Sequence, residues 1–328
     1  MGIPIGVVGC GAHAQTVHIP ILSQSDQFDL IGICDCDEKK LELVGEKYQI
    51  RRRYLEFQEL LNDNEIEAVV IVTPESLHHV MVISALRCGK HVLCEKPMAE
   101  KRADAEAVAE AVRASDRIFA LGLNERFRPE VQAIKQLIEK GELGKIAYLK
   151  AGWLNNWQDW SLDDWHRARV ASGAFTSLGV HLLDIILWFI EIEPDGILGW
   201  VHRRADGIED IAVAQIRFGR CLVSIEVGWS LLMERDFVYC NIFADRGAAL
   251  LNPFRINRIV RGKMIDVTPS LPVRDSYLTS FRLQATFFAN AIRSQKPFPF
   301  GWEDGLKIAK LIDGFYRSVA TGEEVALN

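Results

Sequence analysis

Through about residue 120, short β-branched runs alternate with stretches whose apolar positions recur at helical spacing. IPIGVVG reads as a strand, followed by a helix from about His13 to Gln24. FDLIGICD is a second strand, and Glu38 to Tyr48 a second helix. EAVVIVTP, HVLCEKP and RIFALGL follow as strands, with helices over Ser76 to Cys88 and Glu100 to Ser115 between them. This alternation predicts parallel strands joined by right-handed crossovers, a doubly wound α/β sheet.

Near residue 122 the pattern changes. A helix from about Pro129 to Lys140 leads into the strand-like KIAYLKAGW, then a Trp-rich segment and a helix around 174–191. IEDIAVAQIRF, CLVSIEVGW, DFVYCNIFAD, AALLN and INRIV then follow without long helices between them, which predicts an antiparallel meander. Helices near 276–294 and 303–320 close the chain. The expected division is therefore a dinucleotide-type domain over 1–122 and an α+β domain with a largely antiparallel open sheet over 123–328.

Composition agrees. The 328 residues, 49% hydrophobic and 25% charged, describe an ordinary soluble globular chain long enough for two domains. A net charge of −6 without a dense basic block speaks against nucleic acid or an anionic membrane as partner. The short run Arg51-Arg52-Arg53 reads as a solvated face. Seven cysteines, odd in number and without a Cys-x-x-Cys pair, argue against a disulfide framework and a zinc ribbon. Scattered histidines and the lack of a His-Glu-x-x-His motif give no metal site. The first apolar segment is cut by Gly6, Gly9 and Gly11 and lacks a basic leader, so no signal peptide is read and a reducing cytoplasm is expected.

The chemistry begins at Gly9-Cys10-Gly11-Ala12-His13-Ala14, between a predicted strand and a predicted helix. That is where a Rossmann dinucleotide fingerprint must lie. Gly9 permits the tight turn, Gly11 lets the backbone approach a pyrophosphate, and Ala14 takes the small third position. The helix N-terminus offers free N–H groups and partial positive charge to phosphate. Asp35 ends the second strand, where a carboxylate accepts hydrogen bonds from ribose hydroxyls and repels a 2′-phosphate. This favours NAD; Arg51 to Arg53 keep NADP open, and Asp37 is the better helix cap.

HVLCEKP, with TPESLH upstream, LNERF downstream and SGAFTSLGVHLLD further on, resembles the Gfo/Idh/MocA family of oxidoreductases. The resemblance runs nearly to the end of the chain. It implies NAD(P)-dependent oxidation or reduction of sugars, polyols or related carbonyls, and dimers or tetramers formed through the second domain's sheet. By the same resemblance Lys96 matches the catalytic lysine and His181 the active-site histidine. Thr73, Pro74, His78, Glu95 and Asn124 match positions around the cofactor, and a cis peptide before Pro97 is raised but not decided. The residues themselves agree: Lys96 lies just beyond a strand's C-terminal end, where open α/β sheets bind ligands, although a solvated loop lysine reads the same way. His181 shares its helical face with Ser177 and Asp184, and a core histidine is its other reading.

Ser177 stands where many relatives carry an aspartate four residues before the histidine. A hydroxyl gives His181 a hydrogen bond but no charge, unless Asp159, Asp163 or Asp164 reaches it. In GWLNNWQDWSLDDWHR, Trp157 offers an aromatic face to a sugar, and His166 and Arg167 lie where relatives often place a basic substrate contact. These tryptophans read equally as core or interface residues. The expected activity is hydride transfer between nicotinamide and a sugar-like alcohol or carbonyl; the alternative is a non-catalytic NAD(P)-binding sensor.

Overall fold

Five largely apolar strands and one short polar edge strand build the first sheet: β1 (Ile3–Val8), β2 (Phe28–Cys34), β3 (Arg52–Tyr54, the polar one), β4 (Ala68–Ile71), β5 (His91–Glu95) and β6 (Phe119–Gly122). The structure is a computed structural model describing residues 2–155, 173–231, 233–271 and 275–327. Every pair is parallel, in the order β3-β2-β1-β4-β5-β6. All residues of β4 and β5 are buried, the mark of strands covered on both faces. Helices Glu38–Lys47, His78–Arg87 and Arg102–Arg113 fall where the pattern placed them. Asp37 caps the first of these, its Oδ1 accepting the Lys40 N–H at 3.1 Å. β3 escaped the sequence pattern because it is a three-residue edge strand carrying two arginines. The strand order reverses between β1 and β4, which opens a crevice beyond the carboxyl ends of the strands.

The chain forms two compact units, one of Met1–Asn124 with Tyr277–Ala309 and one of Glu125–Ser276 with Lys310–Asn328. The expected boundary at 122/123 left helix Ser276–Ser294 wholly in the second domain; the structure packs nearly all of it with the first. Phe288 stacks on Phe28 at 6.1 Å between centroids, the Phe300 carbonyl accepts the Leu121 N–H, and Arg113 lies over the Trp302 ring. Periodicity shows that a helix has an apolar face but not which core receives it.

The second unit holds a nine-stranded sheet of β7 (Ile146–Leu154), β8 (Gly196–Arg203), β9 (Glu209–Phe218), β10 (Cys221–Gly228), β11 (Phe237–Ala244), β12 (Gly247–Leu251), β13 (Phe254–Val260), β14 (Lys263–Asp266) and β15 (Val325–Ala326). Their order is β14-β13-β12-β11-β7-β10-β9-β8-β15, antiparallel throughout except for the parallel β7–β10 pair. In β10, Cys221, Val223, Ile225 and Val227 are buried while Leu222 is exposed, the alternation of a sheet with one covered face. β14 is exposed at every position and so left no burial pattern to read. Helix Pro129–Glu139 and helix Val180–Phe189, the latter preceded by a π-helical turn at Phe175–Gly179, belong to this unit.

Candidate cofactor and active site

The turn after β1 has the features a dinucleotide requires. Gly9 has φ of +92°, and a Cβ there would lie 2.5 Å from the Val72 carbonyl oxygen, so no other residue fits. A Cβ on Gly11 would meet nothing within 4 Å, which leaves open space above the backbone for a pyrophosphate. Ala12 is exposed and Ala14 is buried, the latter beginning a π-helical turn over Ala14–His18 whose N-terminus has no side-chain cap. Residues 12 and 13 ahead of it are already helical and the Gln15 N–H donates to the Gly11 carbonyl at 3.0 Å, so an anion at this end would be met by N–H groups ahead of Gln15.

Asp35 follows β2, with one carboxylate oxygen accepting the Cys10 N–H at 2.7 Å and the other the Asp37 N–H at 3.0 Å. Lys40 Nζ approaches the same second oxygen at 3.4 Å, a neighbour the sequence reading missed. Arg52 pairs with Asp63 and Glu65, and Arg53 donates to the Ile50 carbonyl, so both are engaged within their own edge of the sheet.

The ends of β4 and β5 are tied together. Buried His78 places Nε2 2.9 Å from the Thr73 carbonyl and Nδ1 2.7 Å from the Pro97 carbonyl. Thr73 is half-buried with its hydroxyl on Met81 Sδ, and Pro74 is exposed. The Lys96–Pro97 peptide is cis. Asn124, buried just past β6, donates to Ser280 Oγ at 3.0 Å.

Glu95 is buried at the end of β5. Its Oε1 accepts from His18 Nε2 at 2.8 Å and faces His13 Nε2 at 3.3 Å, while Oε2 accepts the Lys96 N–H at 3.2 Å. Burial alone would raise its carboxyl, but the charge and hydrogen bonds of His13 and those of His18 outweigh that and hold it well below the usual carboxylate range. Burial pushes the fully enclosed His18 down against the pull of Glu95. His13, His18 and Glu95 present ligand atoms within 4.8 Å of one another, a group that could hold a metal ion and that the sequence reading did not see. Lys96 itself is half-buried.

In the second unit, Ser177 is fully buried within the π-helical turn, and half-buried His181 follows in the next turn. The His181 ring lies 4.9 Å from that of Trp153, which β7 presents on its covered face. Asp184, the expected face-mate of His181, is committed to Arg126 in a buried pair at 2.5 Å. The start of the turn is held by Glu209, whose Oε1 accepts the Phe175 N–H at 2.9 Å and faces Tyr316 OH at 3.3 Å. Burial raises the Glu209 carboxyl above the ordinary value. Neither Glu209 nor Tyr316 carries a motif; only a fold could reveal them. Trp157, His166 and Arg167, with Asp159, Asp163 and Asp164, lie outside the described residues.

Residues 3–123 match the profile of an oxidoreductase family with an NAD-binding Rossmann fold, and residues 131–250 match the GFO/IDH/MocA C-terminal domain. The chain is 27% identical over 326 residues to a myo-inositol 2-dehydrogenase of Thermotoga maritima, covering 94% of this chain and 93% of that protein. The solved structure of levoglucosan dehydrogenase in complex with NADH and levoglucosan shares the fold, with a TM-score of 0.89 at 19% identity and full coverage of both chains. So does scyllo-inositol dehydrogenase from Lactobacillus casei with bound NAD(H) and scyllo-inositol, with a TM-score of 0.86 at 20% identity, covering 100% of this chain and 99% of that one. Among the described residues, no helix is long and apolar enough to cross a membrane.

Proposed function

Since the chain belongs to the Gfo/Idh/MocA family of oxidoreductases, whose first domain binds NAD, we propose that it oxidises a secondary hydroxyl of a sugar or polyol, or reduces the matching carbonyl. One observation carries the reading: Lys96 stands at the carboxyl end of β5, on the same sheet edge as the glycine turn, anchored through its own N–H to a buried carboxylate. A relative named for myo-inositol, and fold neighbours solved with levoglucosan or scyllo-inositol, support a sugar or polyol as the substrate class.

Bound NAD supplies the hydride acceptor. Lys96 takes the hydroxyl proton as hydride leaves the carbon, and returns it in the reverse direction. A lysine beside an oxidised nicotinamide has its ammonium disfavoured, which suits it to this exchange. By the family resemblance His181 is the second candidate catalytic residue, with Ser177 four residues before it where many relatives carry an aspartate. Asp35 selects NAD over NADP, because its carboxylate repels a 2′-phosphate. Gly9, Gly11, Ala12, His13 and Ala14 cradle the pyrophosphate side; Thr73, Pro74, His78, Glu95 and Asn124 shape the cofactor's surroundings.

The outward face of the second sheet supports self-association. Tyr148, Leu222 and Phe243 are exposed and lie in one cross-strand row, with Trp200 and Phe237 exposed elsewhere in the sheet. Seven unpaired cysteines suit a reducing cytoplasm.

A cofactor-coupled screen of inositols, sugars and sugar acids with NAD and NADP, read near 340 nm in the nicotinamide band, tests the proposal. Reduction of NAD by one class is expected. NADH binding without turnover across the panel would instead favour a sensor.

A further inference from the structure

The strongest unassigned feature is the group of His13, His18 and Glu95. The histidines are five residues apart, a spacing that diverges on an α-helix but converges on a π-helical turn. That turn is present: the Ile19 N–H donates to the Ala14 carbonyl five residues back, and Pro20 has no N–H with which to continue an ordinary α ladder to Thr16. Thr16 Oγ1 donates to the Ala12 carbonyl at 2.8 Å, a back-bond that itself bends helices. The two rings therefore meet edge to face at 5.3 Å, and Phe281 packs edge-on against both at 5.5 Å. Both aim Nε2 at one oxygen of Glu95, and the other oxygen receives the Lys96 N–H.

We propose that His18 and His13 are positioning residues, which hold Glu95 so that it fixes the backbone of Lys96 and ties that lysine to the cofactor-binding turn. The inference rests on Lys96 being the acid–base group. Its physical content is an unbroken chain of contacts from the glycine turn, through two rings and a carboxylate, to the backbone of the reacting residue. Misplacement of a reacting group by about 1 Å can cost on the order of a hundredfold in rate. The trio needs no contact with substrate to matter. Hydrogen-bond distances of 2.8 and 3.3 Å onto one oxygen suit two N–H donors. Zinc at the same atoms is the competing reading.

The test uses His18→Leu and His18→Gln in the full chain, the latter keeping an N–H donor near the Nε2 position. Thermal melts establish folding. Turnover is compared with wild type, NADH affinity is measured by titration, and exchange of the Lys96 amide is followed by mass spectrometry of peptides spanning 93–99. The expected result for folded His18→Leu is kcat lower by roughly a hundredfold, NADH affinity within about threefold, and faster Lys96 exchange, with His18→Gln restoring most of each. If His18→Leu does not fold, amide exchange decides: faster Lys96 exchange in folded His13→Ala and near-wild-type exchange in His18→Gln support the link. Unchanged kcat and exchange in folded His18→Leu, or unchanged exchange in His13→Ala where it stands in, overturn it. Equimolar zinc binding by wild type that is lost in His13→Ala also overturns it, by making the trio a metal site. If wild type turns over no substrate, the parent proposal fails, and amide exchange alone still decides whether the trio holds Lys96.

Discussion

Asp35 carries more than one duty. Its carboxylate braces the Cys10 N–H of the glycine turn and sits against Lys40, so removing it would loosen the turn and leave a cation beside the adenosine ribose site. Asp35→Ser is expected to lower kcat/KM with NAD and raise NADP use relative to NAD by about tenfold or more, measured by steady-state kinetics with both cofactors. An unchanged ratio would remove Asp35 from cofactor choice. Thiol chemistry checks the same region. Burial first, and the charge of Asp35 next, push the Cys10 thiol up to about 12, while Cys36 and Cys88 are exposed. Brief alkylation at neutral pH should label Cys36 and Cys88 and spare Cys10, read by peptide mass spectrometry. At this scale the sequence pointed to Gly9, Gly11, Asp35 and Lys96 as candidates because each has a fixed offset from a strand end. His18 and Glu209 had no such offset, since their partners Glu95 and Phe175 come from elsewhere in the chain.

Both helical segments that deliver candidate residues carry π-helical turns near their starts, at Ala14–His18 and Phe175–Gly179. Such turns are rare and gather at functional sites. Reading both stretches as uninterrupted α-helices placed the elements correctly but hid which side chains converge, because the period within the turn is longer than 3.6. Gly9→Ala tests the glycine turn that leads into the first of these. Backbone strain of about 1–3 kcal/mol, with the clash against Val72 added, should lower Tm by several degrees and abolish NADH binding. Glu209 tests the second. Its folded carboxyl is raised by burial, so the folded state holds the proton more tightly and this group's contribution to stability falls as pH rises from the ordinary carboxylate value through the raised one. Glu209→Gln should therefore gain on wild type in Tm as pH rises above the ordinary carboxylate range, whereas Glu209→Ala, leaving the buried Phe175 N–H unanswered, should be less stable than Glu209→Gln throughout. A wild-type advantage over Glu209→Gln that widens with pH would contradict the assignment.

For the whole molecule, layer order was legible: strand–helix alternation gave the parallel sheet, and loss of long helices gave the meander. The exchange of Tyr277–Ala309 into the first unit was not, because it depends on which apolar surface a closing helix finds. The exposed row of Tyr148, Leu222 and Phe243 should hold subunits together, and Leu222→Lys with Phe243→Lys should lower the mass seen by light scattering while leaving the far-ultraviolet spectrum unchanged. The most direct measurement concerns Lys96. Lys96→Ala, assayed against the best polyol or sugar from the screen, should retain NADH affinity within about threefold and lose kcat by roughly a hundred- to ten-thousandfold. Turnover near the wild-type rate in that variant would contradict acid–base catalysis by Lys96.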